Sequence, residues 1–459
     1  MIKMFSIPYL LVLSLFVILS DATVSVNDPF YCYATDPHRP QIRMFTIHGP
    51  YEPIRGQRIN ANVSTCTPSK FWMLGRYGTR LPSSTETANM LGNYERLHTE
   101  ILENYKQGKT SLCAADFELL ENWELNPDIA LERAAHLTSV GWDEYEWLAQ
   151  RYQAAFPTLL PSTYSPSDYF FRSSGLNNAA RSLYAFADGL FGTGGHESVE
   201  FADVPEVDYL LLPHIQCPLY QDVIFSDRRE PEAFRQGPEY QQMAIQVSAK
   251  LGFHASQVLR INEIDILASF CKYEQIWYLN GTSPYCAGFS IANHQVYEYY
   301  WDLDLYYRFG YGHPNYRRLL ENMNCFLMQD LLTAIQSNND GDHKARIFNT
   351  NNITLILFLL HFGVYEDDTP LTRHNFAQQT NRLWKSSFII PMAANLAIVK
   401  YDCANEDNDI LFLLNENPLH IPGCEANGLC KQSLLLERFG RFLTANCMET
   451  FCTNSFNDS

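Results

Sequence analysis

The sequence has no Cys-x-x-Cys pair and no tight cluster of cysteine and histidine. That absence removes the usual spacing of a structural metal site or a redox pair. Basic residues are scarce: 33 Lys and Arg face 51 Asp and Glu, for a formal net charge of -18. Such a field repels nucleic acid and anionic membrane surfaces, so neither is expected as a partner. It also opposes a polyanionic small molecule, unless a local group of arginines attracts one. After the N-terminal segment no apolar run is long enough to cross a bilayer. Leu355 to Leu360 is very apolar but brief, and reads as buried core. Internal repeats, low-complexity tracts and a C-terminal K-D-E-L-type tetrapeptide are all absent.

The N-terminus is where long apolar sequence does occur. Lys3 gives a positive start, Phe5 to Leu19 an apolar core, and Ser20-Asp21-Ala22 the small residues at a cleavage site. Residues 1–22 therefore read as a secretory signal, and the mature chain as secreted or lumenal. Twelve cysteines follow: Cys32, Cys66, Cys113, Cys217, Cys271, Cys286, Cys325, Cys403, Cys424, Cys430, Cys447 and Cys452. An even number in an oxidising compartment is expected to pair as disulfides. Cys424 with Cys430 and Cys447 with Cys452 are candidate local bridges; spacing leaves the rest open. Sequons at Asn62, Asn280, Asn352 and Asn457 fit the same address.

Strand-like runs alternate with helical ones. Phe71 to Leu74, Tyr169 to Phe171, Ala345 to Phe348, parts of Phe388 to Tyr401, and Ile410 to Leu414 read as strands. Helical periodicity covers Glu86–Tyr105, Phe117–Leu125, Leu131–Ala155, Ala179–Leu190, Glu239–Leu251, Ile261–Tyr278, His294–Phe309, Arg317–Ser337 and Thr354–Phe362. Phe191 to Leu212 reads as a surface loop. Strands feeding helices predict an α/β core on a mixed sheet, with a largely helical middle third beside it.

The loop after the first strand carries the chemistry. Gly75-Arg76-Tyr77-Gly78-Thr79-Arg80-Leu81-Pro82 puts two arginines around a short turn. A guanidinium fork matches phosphate oxygens, so the pair suggests an anion pocket, although two solvated arginines on a turn are the ordinary alternative. The loop resembles the R-H-G-x-R-x-P signature of the histidine acid phosphatases, and more specifically their phytase-like, inositol-polyphosphate-hydrolysing branch. Ser64 to Pro68, Tyr169 to Ser174, Ser283 to Ser290, Tyr306 to Gly312 and the Cys-rich tail from Leu413 to Cys452 carry the same likeness, in the same order.

The resemblance implies a three-layer α/β core with a helical cap over a pocket at the strand ends. It would divide the chain into core at 23–115, a cap segment at 116–165, core at 166–192, a cap insertion at 193–335, and core with a Cys-rich tail at 336–459. It also implies that Arg76, Arg80 and Arg172 bind phosphate. The family's later arginine falls at Asn178. No metal or organic cofactor is implied, and a monomer is expected.

Two catalytic positions depart from the family pattern. Tyr77 stands where the family has its nucleophilic His. An ordinary phenol has a pKa of about 10, so it is a poor replacement at neutral pH. The family's His-x-Glu acid motif falls on Asn351, Asn352 and Ile353; Ile353 has no proton to give, and Phe348 to Thr354 contains no His, Asp or Glu. His48, His196, His313 and His361 are weak stand-ins. Loss of one catalytic member abolishes most turnover by itself. Three readings follow: a secreted protein that binds phosphate or an inositol polyphosphate without cleaving it, a phosphatase working through Tyr77, or an extracellular scaffold that keeps only the fold. A glycan on Asn352 would favour the last.

Overall fold

The computed structural model describes residues 28, 30–278, 280–337, 341–404 and 407–455. The expected signal at 1–22 and the sequon at Asn457 lie outside them. Seven strands form one mixed sheet in the order β2-β3-β1-β4-β5-β6, with β7 also on β5. The long strand β1 (Thr67–Arg76) lies near the middle. It pairs in parallel with β3 (Ala345–Thr350) and antiparallel with β4 (Asn395–Asp402). β2 (Tyr169–Ser173) adds in parallel to β3, and β5 (Asp409–Leu414) antiparallel to β4. The short strands β6 (Asn417–Pro418) and β7 (Leu429–Lys431) finish it.

The central strands are apolar at nearly every position because both faces are buried. Phe71, Met73, Ala345, Ile347, Ala397 and Val399 share a core with Tyr145, Leu148, Leu183 and Phe186, from the helices Ser139–Ala155 and Asn177–Phe191. Trp72, Leu74, Phe348, Ile398 and Phe412 share the other core with the helices Asn352–Leu359 and Cys325–Gln336. Each large apolar side chain buried this way contributes about 1.5–3 kcal/mol. Trp72 keeps its indole N–H satisfied by donating to Asp330 Oδ1 at 2.8 Å. The expected mixed-sheet, three-layer fold is therefore observed. Most of the helical middle third lies between β2 and β3, and its core runs on into the second of these layers.

Several expected helices are broken by local capping. The stretch Glu86–Tyr105 is two helices, Ser84–Leu91 and Tyr94–Lys106, the first started by a Ser83/Glu86 capping box. Leu131–Ala155 contains only a 3₁₀ turn before Thr138 caps the helix Ser139–Ala155. Arg317–Ser337 divides at Asn324. Ser386–Ile389 is a short helix ahead of β4, not strand.

Six disulfides join Cys32–Cys113, Cys66–Cys403, Cys217–Cys452, Cys271–Cys286, Cys325–Cys447 and Cys424–Cys430. The local bridge at Cys424–Cys430 is as expected. The expected Cys447–Cys452 bridge is replaced by two long-range ones, which tie the tail to the helix Cys325–Gln336 and to Cys217. Local spacing cannot show such partners, because they are set by how the tail packs. No helix among the described residues is long and apolar enough to cross a membrane.

Candidate anion site

The Arg76–Pro82 loop leaves the carboxyl end of β1, and its backbone is held on every side. Arg76 N–H donates to the Ala394 carbonyl and Tyr77 N–H to the Thr350 carbonyl. Gly78 N–H donates to Ser182 Oγ at 3.0 Å. Thr79 gives its N–H and hydroxyl to the two oxygens of Glu144, at 2.7 and 2.9 Å. Gly78 lies against the backbone of Gly141, and a Cβ on either would collide with the opposing chain. The glycines are therefore required for the approach of loop and helix. Tyr145 hydroxyl donates to the Arg76 carbonyl.

The side chains converge on Tyr77. Arg76 is wholly buried, with its guanidinium 5.2 Å from the Tyr77 ring centre; Arg80 stands 5.6 Å from the same ring. Arg80 Nε donates to Tyr77 Oη at 3.4 Å. Arg76 Nη1 is fixed by the Ile47 and Ile390 carbonyls at 2.6 and 2.7 Å, and its buried Nε and Nη2 make no hydrogen bond of good geometry among the described residues. Burial alone would raise the Tyr77 pKa; the two guanidiniums overcome it and bring the phenol down to about 8. Burial lowers the Arg76 pKa. Burial pushes the Glu144 carboxyl up to about 7 in spite of the Thr79 hydrogen bonds.

A helix from the middle third closes this arrangement. From Ile261–Trp277, Tyr273 Oη accepts from Arg80 Nη1 at 3.3 Å and donates to Glu86, while Trp277 Nε1 donates to the Arg80 carbonyl at 3.2 Å. Glu86 also pairs with His48 at 3.3 Å and Arg80 at 3.8 Å. Burial opposes the Glu86 charge, but the His48 bond, Arg80 and Ser83 hold its pKa well below normal. Tyr77 and Arg80 keep only 7% and 8% of their surface exposed, so the arginines lie beneath a cover of side chains.

At the end of β3, Asn351 caps the helix Asn352–Leu359. Its Oδ1 accepts from Ile353 and Thr354 N–H, both at 3.0 Å. Two donors of the helix start are thus satisfied by its own cap. Thr350 and Thr354 hydroxyls donate to the Leu211 carbonyl. His214 lies 3.4 Å from Asn351 Nδ2, and burial pulls its pKa down to about 4. Its Nδ1 is buried with no partner. Asn352 is half-buried, while Asn62 and Asn280 are exposed.

Among the described residues no hydrogen bond or ion pair joins Arg172 to Arg76, Tyr77 or Arg80. In register it aligns with Phe348 and Leu74, two residues short of Arg76 and two strands away, on the order of 10 Å at the backbone. Its Nη2 pairs with Asp208 at 2.6 Å, and it lines a separate cavity of about 330 Å³ with Phe170, Phe326 and Arg346. The residue that does reach the loop's surroundings is Asn178: its carbonyl accepts from Ser182, whose oxygen holds Gly78, and its Nδ2 donates to Ala135. Of the four histidines considered as stand-ins, His48 alone contacts the site. His196 pairs with Asp188, His313 with Asp227, and His361 packs on Phe358 and Phe442. Glu86, Glu144, Ser182, His214 and Tyr273 carried no sequence signal, because each reaches the site from a separate element.

The model of the histidine phosphatase superfamily, branch 2, matches residues 71–415. Multiple inositol polyphosphate phosphatase 1 of Drosophila melanogaster is 33% identical over 94% of this chain and 91% of its own. The Gallus gallus protein of that name is 27% identical over 78% of each chain. Among solved structures, the phytase from D. castellii superposes with a TM-score of 0.68 at 18% identity, over 90% of this chain and 88% of its own. The multiple inositol polyphosphate phosphatase of Bifidobacterium longum, in complex with inositol hexasulfate, gives 0.64 at 13% identity, over 89% of this chain and 100% of its own. The chain belongs to the histidine phosphatase superfamily, branch 2.

Proposed function

We propose that this protein binds phosphate or inositol polyphosphates at the Arg76–Arg80 loop and does not hydrolyse them. The observation that carries this reading is the Arg76 guanidinium, fully buried with Nε and Nη2 lacking a well-placed acceptor among the described residues. A buried cation with unmet donors is costly until an anion satisfies it. The relatives point to the ligand class: curated ones are named for inositol polyphosphates, and Bifidobacterium longum structures hold inositol hexasulfate or phosphate. Arg172, on this reading, acts only as the Asp208 partner, and Tyr273 and Trp277 move aside to admit the ligand. Six disulfides and the N-terminal sequence support export, and on this reading the protein is a glycosylated monomer.

The absence of turnover follows from chemistry. Attack on phosphorus needs a nucleophile whose phosphoryl ester breaks down again, and the leaving oxygen needs a proton. A phosphotyrosine at Tyr77 is a stable ester. Asn351 cannot titrate and Ile353 has nothing to donate. Calorimetry with inositol hexakisphosphate is expected to show binding by the intact protein and none by Arg80→Glu, with no phosphate released by either. Equal heats from both proteins would place the ligand elsewhere. No binding by the intact protein would leave a scaffold.

A second reading has one observation in its favour. With its pKa near 8, roughly a tenth of Tyr77 is phenolate at neutral pH, far more than an ordinary tyrosine. If the phenolate attacks phosphorus, release of phosphate disappears in Tyr77→Phe.

A further inference from the structure

A second cluster of unsatisfied groups lines a cavity of about 310 Å³ that opens beside the arginine loop, between the helices Ile261–Trp277 and Ile291–Phe309. Lys272 lies at its wall, 2% exposed. Its ammonium has no hydrogen bond and no ion pair among the described residues. It rests instead over two aromatic rings, 4.9 Å from the Tyr297 centre and 5.9 Å from Trp301. The other cations of the cavity have acids: Arg228 pairs with Asp304 at 3.0 Å, and Arg235 pairs with Asp265. Each of those arginines still leaves Nε buried with no partner, and so does the Trp301 indole Nε1. The cavity wall therefore holds three buried N–H groups without hydrogen-bond partners and one unpaired amine among the described residues.

We infer that Lys272 is a covalent site for a small aldehyde carrying an anionic group, the amine forming an imine while Arg228, Arg235 and Trp301 take the anion. The anionic group is a carboxylate or a phosphate, which the donors accept alike. The step balances without a further reactant. The amine lone pair attacks the carbonyl carbon, the two nitrogen protons leave with the carbonyl oxygen as one water, and a neutral imine remains. The aromatic walls shield that imine from hydrolysis.

Protonation supports the geometry. Burial pulls the Lys272 pKa to about 8, against the opposing pull of Glu86 and Asp265. His48, His294, Arg228 and Arg235 also face this region, and burial keeps both histidines neutral near pH 7.5. At pH 7.5 such a lysine is neutral about a hundredfold more often than an exposed one. A buried amine of this kind is an established route to Schiff-base chemistry.

The test uses the full-length secreted protein with pyridoxal 5′-phosphate and cyanoborohydride, which fixes any imine as a secondary amine. Peptide mapping is expected to find Lys272 modified at least tenfold faster than any other lysine, with glyoxylate competing. Labelling spread evenly over the exposed lysines, or sparing Lys272, overturns the proposal. Arg235→Gln, whose folding is checked by its melting temperature, should lose the preference for pyridoxal 5′-phosphate over formaldehyde. Equal selectivity for formaldehyde and pyridoxal 5′-phosphate in the natural protein would remove the anion from the account.

Discussion

At the end of β1 the chain keeps two arginines around a single turn. At the end of β3, the neighbouring strand, Phe348 to Thr354 keeps no charge at all. The two segments are one hydrogen bond apart, Tyr77 N–H to Thr350 carbonyl. Under the proposed function, the first segment holds a tyrosine at the nucleophile position beside two arginines that attract an anion, and the second holds the helix cap Asn351 at the acid position. Binding and bond-breaking draw on different residues of such a site, so one can be lost while the other stays.

The largest expected effect tests the charged half. Arg80→Glu puts a carboxylate beside Glu86 and should abolish polyphosphate affinity; Arg76→Ala should weaken it by about 10- to 100-fold, the worth of a charge-assisted hydrogen-bond pair. Calorimetry reads both. Affinity that survives Arg80→Glu would mean the pocket assignment is wrong.

Restoring the two halves separately sharpens the contrast. Tyr77→His alone is expected to release no phosphate from inositol hexakisphosphate, since a nucleophile without its acid gains little. Adding Asn351→His and Ile353→Glu is expected to give release above the Arg76→Ala background. Turnover from Tyr77→His alone would show that the end of β3 still supplies a proton, with His214 the first residue to suspect.

Tyr77 also gives the loop a pH signature. Its folded pKa, about 8, lies below the unfolded value near 10. Between those values the unfolded state holds the proton more tightly, so stability rises with pH through this window and is lost as pH falls through about 8. The gain above the unfolded pKa is about 3 kcal/mol. Ultraviolet difference spectra should show one tyrosinate forming near pH 8, absent from Tyr77→Phe. If the first tyrosinate in both proteins forms only above the ordinary range, the arginines do not hold the phenol as described.

The smallest effect belongs to the uncharged half. Asn351→Ala removes a helix cap and should cost about 1 kcal/mol of stability, read as a lower urea midpoint. It should leave polyphosphate affinity nearly unchanged. A large loss of affinity would mean that Asn351 contacts the ligand.

Much of this was legible in the sequence, for physical reasons. β1 and β3 are buried on both faces and read as apolar runs, and the Arg76–Pro82 loop is compact enough for its chemistry to sit in consecutive residues. The helix ending at Gly363 is also clear, since the glycine takes the left-handed conformation there, φ 66°. Arg172 was harder: its place in the strand suggested the loop, and its pairing with Asp208, from a distant segment, had no local signal. The same limit hid His214 and Tyr273, which reach the site from distant elements, and the tail disulfides, whose partners are set by packing. Periodicity over Leu131–Ala155 likewise suggested one helix, while Thr138, which caps the helix and donates its hydroxyl to the Thr79 carbonyl, begins it after the turn.

The most direct test of the central claim measures binding and turnover on the same sample. Purified protein and Arg76→Ala would be titrated with inositol hexakisphosphate, and phosphate release followed from acid to neutral pH. The account predicts binding that Arg76→Ala weakens, with no release above background at any pH. Release by the natural protein that disappears in Arg76→Ala would contradict it, and would mean that the Tyr77 site still breaks the phosphate bond.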